Sequence, residues 1–168
     1  RLLIEVTSEY ARARNILNMG LNFAKRKRAS IEQAEALRMI GVTHRLQGAY
    51  AEATQLFEEA WWAFEQADET RTIEYASLLR NYAEVCCGEG RYDRALEHLE
   101  LEKTACEALA PAGDEKVLFQ HAGCCRKIGV VRRKLGEFDT ALQYLHMAKS
   151  RYETAQATRS PEYGHVMR

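Results

Sequence analysis

The sequence contains no run of 18 apolar residues and carries no net charge, with 24 Lys plus Arg against 24 Asp plus Glu in 168 residues. The first absence argues against a membrane-spanning helix. The second removes any bulk attraction to nucleic acid or to an anionic membrane surface. The opening residues lack the basic, apolar and small-residue succession of a secretion leader. Alternation of apolar and polar residues at a period of two is missing throughout, so no strand is expected. Also missing are a glycine-rich phosphate loop, a pair of carboxylates set for acid–base work, a nucleophile triad and a Cys-x2-Cys pair. Catalysis, a cofactor and a metal are therefore not expected. The five cysteines, an odd number, lie within helical patterns, which fits reduced thiols in a cytosolic or nuclear compartment rather than a disulfide framework. A soluble, cytoplasmic protein is the expectation. Starting at Arg1 and stopping inside a pattern, the chain is expected to be a piece of a longer one.

What is present is a repeat. Leu37-x2-Ile40-Gly41-x6-Gly48-x-Tyr50-x2-Ala53-x3-Phe57-x2-Ala60 returns as Leu79-x2-Tyr82-Ala83-x6-Gly90-x-Tyr92-x2-Ala95-x3-Leu99 and again as Cys125-x2-Ile128-Gly129-x6-Gly136-x-Phe138-x2-Ala141-x3-Leu145-x2-Ala148. Each copy reads as two amphipathic helices broken at a glycine. At 100° per residue Leu37, Ile40, Gly41 and His44 share one stripe, and Tyr50, Ala53, Phe57 and Ala60 share another. The stripes must face each other, the small residues letting the axes approach to roughly 8–10 Å while the aromatics fill the space beside them. Gly48, Gly90 and Gly136 supply the turns.

The expected divisions are a partial repeat over 1–28, repeats over 30–68, 72–110 and 114–157, and the start of a further one over 160–168, all in a single array. Ser8 holds the place of the turn glycines, with Arg1 to Val6 as the tail of a preceding helix. Ser30-x2-Gln33 reads as a capping box, Asp114 as a cap after the break at Pro111-Ala112-Gly113, and Ser160-Pro161 as a helix start. The run Lys25-Arg26-Lys27-Arg28 fits a helix C-terminus, where cations oppose the dipole, or alternatively a nuclear import signal.

These residues resemble the tetratricopeptide repeat family: a large apolar residue, an apolar-Gly/Ala pair, a Gly turn, an aromatic, then Ala-x3-aromatic-x2-Ala. The match is fullest over Leu37 to Ala60, and departs at Glu102, which stands where the others have Ala60 and Ala148. Spacings of 42 (48 to 90) and 46 (90 to 136) are longer than the family's usual period and are similar to the repeats of kinesin light chains and of spindle-orienting scaffolds. The resemblance implies an all-α fold of antiparallel helix hairpins stacked into a right-handed superhelical solenoid. It implies an adaptor or scaffold whose first helices line a concave groove for a segment of a partner protein.

Arg38 and Arg45 lie near 100° and 80° from Leu37, off the hairpin core. Arg80, Arg126 and Arg133 repeat those places, with Lys127 and Lys134 beside the last two. On the face that the resemblance makes concave, seven cations stand against Glu35 and Glu84. The expected ligand is an acidic segment, since guanidinium forks grip carboxylates in two-pronged geometry, with Asn81 available to bond its backbone. Arg80 could instead simply pair with Glu84 one turn on. The second helices, with Glu52, Glu58, Glu59 and Glu65 in one and Asp93, Glu97, Glu100, Glu102 and Glu107 in the next, should make an acidic outer face. A clamp of Lys, Asn and Arg for a terminal carboxylate, as in chaperone-binding members, lacks its second Asn here. Trp61 shares the core stripe of Phe57 and Phe64, while Trp62 points away among glutamates, as a partner or self-association contact or as packing against the next repeat. Cys86 and Cys125 fit core places. Two other roles are a structural or self-assembly spacer with an idle groove, and a peptide-sensing domain of a regulator.

Overall fold

The computed structural model describes residues 2–27, 30–109 and 114–155. Among them are seven helices and no strand: α1 (Leu2–Lys27), α2 (Ser30–Leu46), α3 (Tyr50–Gln66), α4 (Ile73–Gly88), α5 (Tyr92–Leu109), α6 (Glu115–Lys134) and α7 (Phe138–Thr154). They belong to two compact units, Arg1–Thr70 and Arg71–Arg168. The side chains of Lys25 to Arg28 and of Ser30, the break at Pro111 to Gly113, and the segment 160–168 lie outside the described residues.

In the first unit α2 and α3 form the hairpin that the repeat demands. Leu37, Ile40, Ala53, Phe57, Ala60 and Phe64 are all buried. Gly48 takes φ of 76°, the left-handed conformation that glycine enters without a side-chain penalty, and Ala49 N–H returns to the His44 carbonyl at 3.0 Å. Close approach is real as well: a Cβ on Gly41 would stand 2.8 Å from Phe57 Cδ1. Trp61 departs from its expected core place. It is only half-buried, and its Nε1 donates to Glu65 at 3.0 Å. The expected turn at Ser8 is also absent, since α1 runs through it as one helix. Serine has no easy access to the left-handed conformation that the turn glycines adopt, so nothing at position 8 breaks the helix.

The second unit is two hairpins, α4 with α5 and α6 with α7. Gly90 and Gly136 turn them, with φ of 74° and 82°. Thr72 caps α4 by accepting from Tyr75 N–H, and Asp114 caps α6 by accepting from Lys116 N–H, satisfying orphan donors at each start. Leu78, Leu79, Leu99, Ile128 and Tyr152 are at most 1% exposed. Gly129 repeats the small-residue contact, its absent Cβ lying 2.9 Å from Leu145 Cγ and 3.0 Å from the Ala141 carbonyl oxygen. Cys86 and Cys125 fill core places as expected, at 1% and 0% exposure.

Candidate functional site

Each first helix presents charged residues beside its buried stripe, but the charges are in different states. On α2, Arg38 is matched by its own helix: Nε and Nη2 donate to the two carboxylate oxygens of Glu35 at 3.0 and 2.8 Å. Arg45, two turns on, is half-buried.

On α4, Arg80 turns inward rather than towards Glu84. Its Nε donates to Glu102 Oε1 at 2.8 Å and its Nη2 to the Gln120 carbonyl at 3.1 Å. Glu102 is 0% exposed, so it does not belong to an acidic outer face. Burial pushes its carboxyl above the usual range, and the Arg80 guanidinium opposes that. A carboxylate in an alanine's place brings its own counter-ion from the neighbouring helix, because an unpaired buried charge is untenable. Glu84, freed from Arg80, pairs with Lys127 of α6. Asn81 is half-buried beside Arg80.

The same three levels tie α4 to α6. Gln120 Nε2 reaches Ser77 Oγ at 3.3 Å and the Ile73 carbonyl at 3.4 Å, Arg80 reaches the Gln120 carbonyl, and Lys127 reaches Glu84. Ser77 to Gln120 and Glu84 to Lys127 share an offset of 43 residues, which sets the two first helices parallel and in register. Composition gave no sign of Gln120, and only that offset could have found it. Beside it a cleft of about 290 Å3 is lined by Arg80, Lys116, Phe119 and Gln120, with Glu115 and Ala155.

The cations left on α6 are Arg126, Arg133 and Lys134. Among the described residues none of them is in an ion pair. Arg126 is half-buried with no acceptor for its buried Nε, while Arg133 and Lys134 are exposed. The adjacent Arg132 is instead held by Glu137 at 2.5 Å, above the Tyr144 ring at 5.8 Å. Tyr144 in turn donates to Glu100 at 2.7 Å, and Lys103 donates to Glu100 at 2.9 Å. Charges on the hairpin side are thus consumed in packing, and those on the open side of α6 are not. Trp62, on α3, is 67% exposed.

The buried thiols are chemically quiet. Burial pushes Cys106 up to about 12 and Cys125 up to about 11, and reactivity needs the thiolate. Among the described residues no group of three or more His, Cys, Asp or Glu could hold a metal ion, and no helix is long and apolar enough to cross a membrane.

Residues 33–61 match the model of the tetratricopeptide repeat. No curated protein matches the sequence. Among solved structures, BtubC (BKLC) from P. vanneervenii superimposes with a TM-score of 0.70 at 18% identity over 94% of this chain. The chain spans 62% of that protein's length. The nearly identical TPR-like repeats of a candidate kinesin light chain from Podosopora anserina superimpose with a TM-score of 0.73 at 11% identity, over 95% of this chain and 75% of that one. A point-substituted form of the same repeats gives 0.74 at 11% identity, over 95% and 74%. Identities this low carry the fold alone, whereas the match at 33–61 is one of sequence. The chain therefore carries a tetratricopeptide repeat, set in an all-α repeat fold of the tetratricopeptide kind.

Proposed function

We propose that the chain is a non-enzymatic protein-interaction module that takes an acidic segment of a partner protein along a first-helix face, acting in the cytoplasm as an adaptor or scaffold. The tetratricopeptide repeat at 33–61 and the fold support protein binding in general. The observation that carries the acidic ligand is the contrast on and around α6. Arg38, Arg80 and Lys127 already have carboxylate partners, and Arg126, Arg133 and Lys134 have none among the described residues. Arg126 and Arg133 are seven residues apart, two helical turns, so they share one side of α6 at a separation of roughly 10 Å. About three residues of polyproline II chain, at ~3.1 Å each and three to a turn, cover that distance and return the side chain to the same side. The ligand is therefore a segment with Asp or Glu at positions i and i+3, each carboxylate gripped by a guanidinium fork.

The test is fluorescence anisotropy with labelled extended peptides that place two glutamates three residues apart, at low and high salt. Binding is expected to weaken steeply with salt, as contacts between exposed charges are screened, and to vanish in Arg126→Glu/Arg133→Glu. Arg38→Glu should have the smaller effect, because Glu35 already neutralises Arg38. Capture that survives the double reversal, or prefers basic peptides, rules the reading out.

A further inference from the structure

The repeat sets an arginine at the same place in three first helices, Arg38, Arg80 and Arg126, since Leu37 recurs as Leu79 and as Cys125. Two other places of the repeat decide what that arginine meets. One lies three residues earlier on the same helix, within reach across the helix surface, and holds Glu35, Ser77 and Gly123 in the three copies. The other lies on the second helix of the hairpin and holds Ala60, Glu102 and Ala148. Each place carries a carboxylate once. Arg38 donates from Nε and Nη2 to Glu35, and Arg80, which has only serine at the first place, donates from the same two atoms to Glu102. The third copy has neither carboxylate. Arg126 is in no ion pair among the described residues, and its buried Nε has no acceptor. Packing does not explain the glycine. A Cβ on Gly41 or Gly129 would be driven into Phe57 or Leu145, whereas on Gly123 it would stand 3.5 Å from Tyr152 Oη and 4.0 Å from Arg80 Nη2, ordinary contact distances. Nor does Gly123 have the positive φ of the turn glycines. Glycine inside a helix is disfavoured against alanine or glutamate, so α6 is weakened at this place without steric need.

We infer that Gly123 and Ala148 hold Arg126 open for a carboxylate of the bound segment, by withholding the carboxylates that neutralise its counterparts in the other two copies. Both are positioning residues that act through Arg126, which makes the contact. A carboxylate tethered at either place would compete at the high effective concentration of an intramolecular group. It would hold the guanidinium in the two-pronged geometry that a partner's carboxylate needs for itself. The inference rests on the acidic ligand proposed above, and adds which residues select the third copy of the repeat to receive it.

The experiment titrates the full chain with the labelled peptide bearing two glutamates three residues apart, and compares Gly123→Glu, Gly123→Gln and Ala148→Glu with the parent. Gly123→Glu should raise the Kd at least ~10-fold, as loss of one charge-assisted pair does. The uncharged Gly123→Gln should stay within ~2-fold of the parent, because it adds bulk but no competitor for Arg126. Ala148→Glu should match Gly123→Glu. Ala148 is fully buried, so circular dichroism comes first for that variant, and if its helices are lost the two Gly123 variants decide. In an Arg126→Gln background Gly123→Glu should change the Kd by less than ~2-fold, since the group through which it acts is gone. An affinity of Gly123→Glu equal to the parent's would overturn the inference. A tenfold loss in Gly123→Gln would do the same by showing that bulk matters, and a tenfold loss in the Arg126→Gln background by showing that the new charge simply repels the peptide. No capture by the parent chain, or capture that survives Arg126→Glu/Arg133→Glu, would instead sink the function proposed above and this inference with it.

Discussion

Glutamate in a place that repeat symmetry gives to alanine is tolerated only because Arg80 reaches it. Replacing Arg80 by Met leaves a fully buried carboxylate without a partner, a change worth about 3–5 kcal/mol, and urea denaturation should show it. Glu102→Ala should cost less, since Arg80 keeps a quarter of its side-chain surface in contact with solvent and can turn towards water. The pair Arg80→Met/Glu102→Ala should recover most of the loss, with a coupling free energy above ~1 kcal/mol. Additive effects would mean that the two side chains do not depend on each other. His121 poses the same problem with a proton instead of a partner. It is 0% exposed, and neither ring nitrogen makes a hydrogen bond. Burial, reinforced by Arg151 of α7 and Lys103 of α5, lowers its pKa from 6.5 to about 4, although Glu107 of α5 lies 3.6 Å away. Between those pH values the unfolded chain binds a proton that the folded chain refuses, so stability falls as pH is lowered from 6.5 and levels off near 4. The expected loss is about 3 kcal/mol. Denaturation midpoints measured across that range should fall less in His121→Leu than in the parent chain.

At the scale of the helix pair, the repeat works by letting two backbones approach where glycine or alanine stands. Gly129 is the most demanding of these places, because a Cβ there meets the Ala141 carbonyl, which cannot swing aside as a side chain can. Gly129→Ala should gain a few tenths of a kcal/mol or more of helix propensity and lose more by overpacking. A net destabilisation of about 1–3 kcal/mol is expected, measured by thermal or urea unfolding. An unchanged or raised midpoint would show that α6 and α7 can separate without cost. The contrast with Gly41 is instructive, since there the obstacle is the Phe57 ring, whose side chain can rotate slightly. Turn and cap residues belong to this scale too. Gly48, Gly90 and Gly136 all have positive φ, and Thr72 and Asp114 accept from the first free N–H groups of their helices. The glycine turns were legible from spacing, and Asp114 from the break before it, because a tight helix turn has few chemical solutions, whereas nothing in the spacing marked Thr72 as a cap.

At the scale of the whole chain, each unit carries its own buried stripes, so Arg71–Arg168 is expected to fold when expressed alone, with helical circular dichroism and one cooperative transition. Gly129→Ala should shift that transition by the same free energy as in the full chain, to within ~0.5 kcal/mol, as distant independent sites do. A piece that stays unfolded would show that its core needs residues 1–70. The sequence by itself determined the helices from α2 to α7, their pairing into hairpins, the glycine turns and the small-residue contacts, but not the unbroken course of α1 through Ser8. Each of these follows from periodicity and backbone conformation within about 30 residues, and the tetratricopeptide resemblance rests on the same local grammar. Only the tertiary structure decided which charges are spent. Arg38, Arg80 and Arg126 hold equivalent places in the repeat. Yet one pairs within its helix, one is drawn onto a glutamate 22 residues away, and one keeps no carboxylate among the described residues. A long side chain chooses its partner by what the neighbouring helix places within reach. That depends on packing between elements and cannot be read from spacing along one of them.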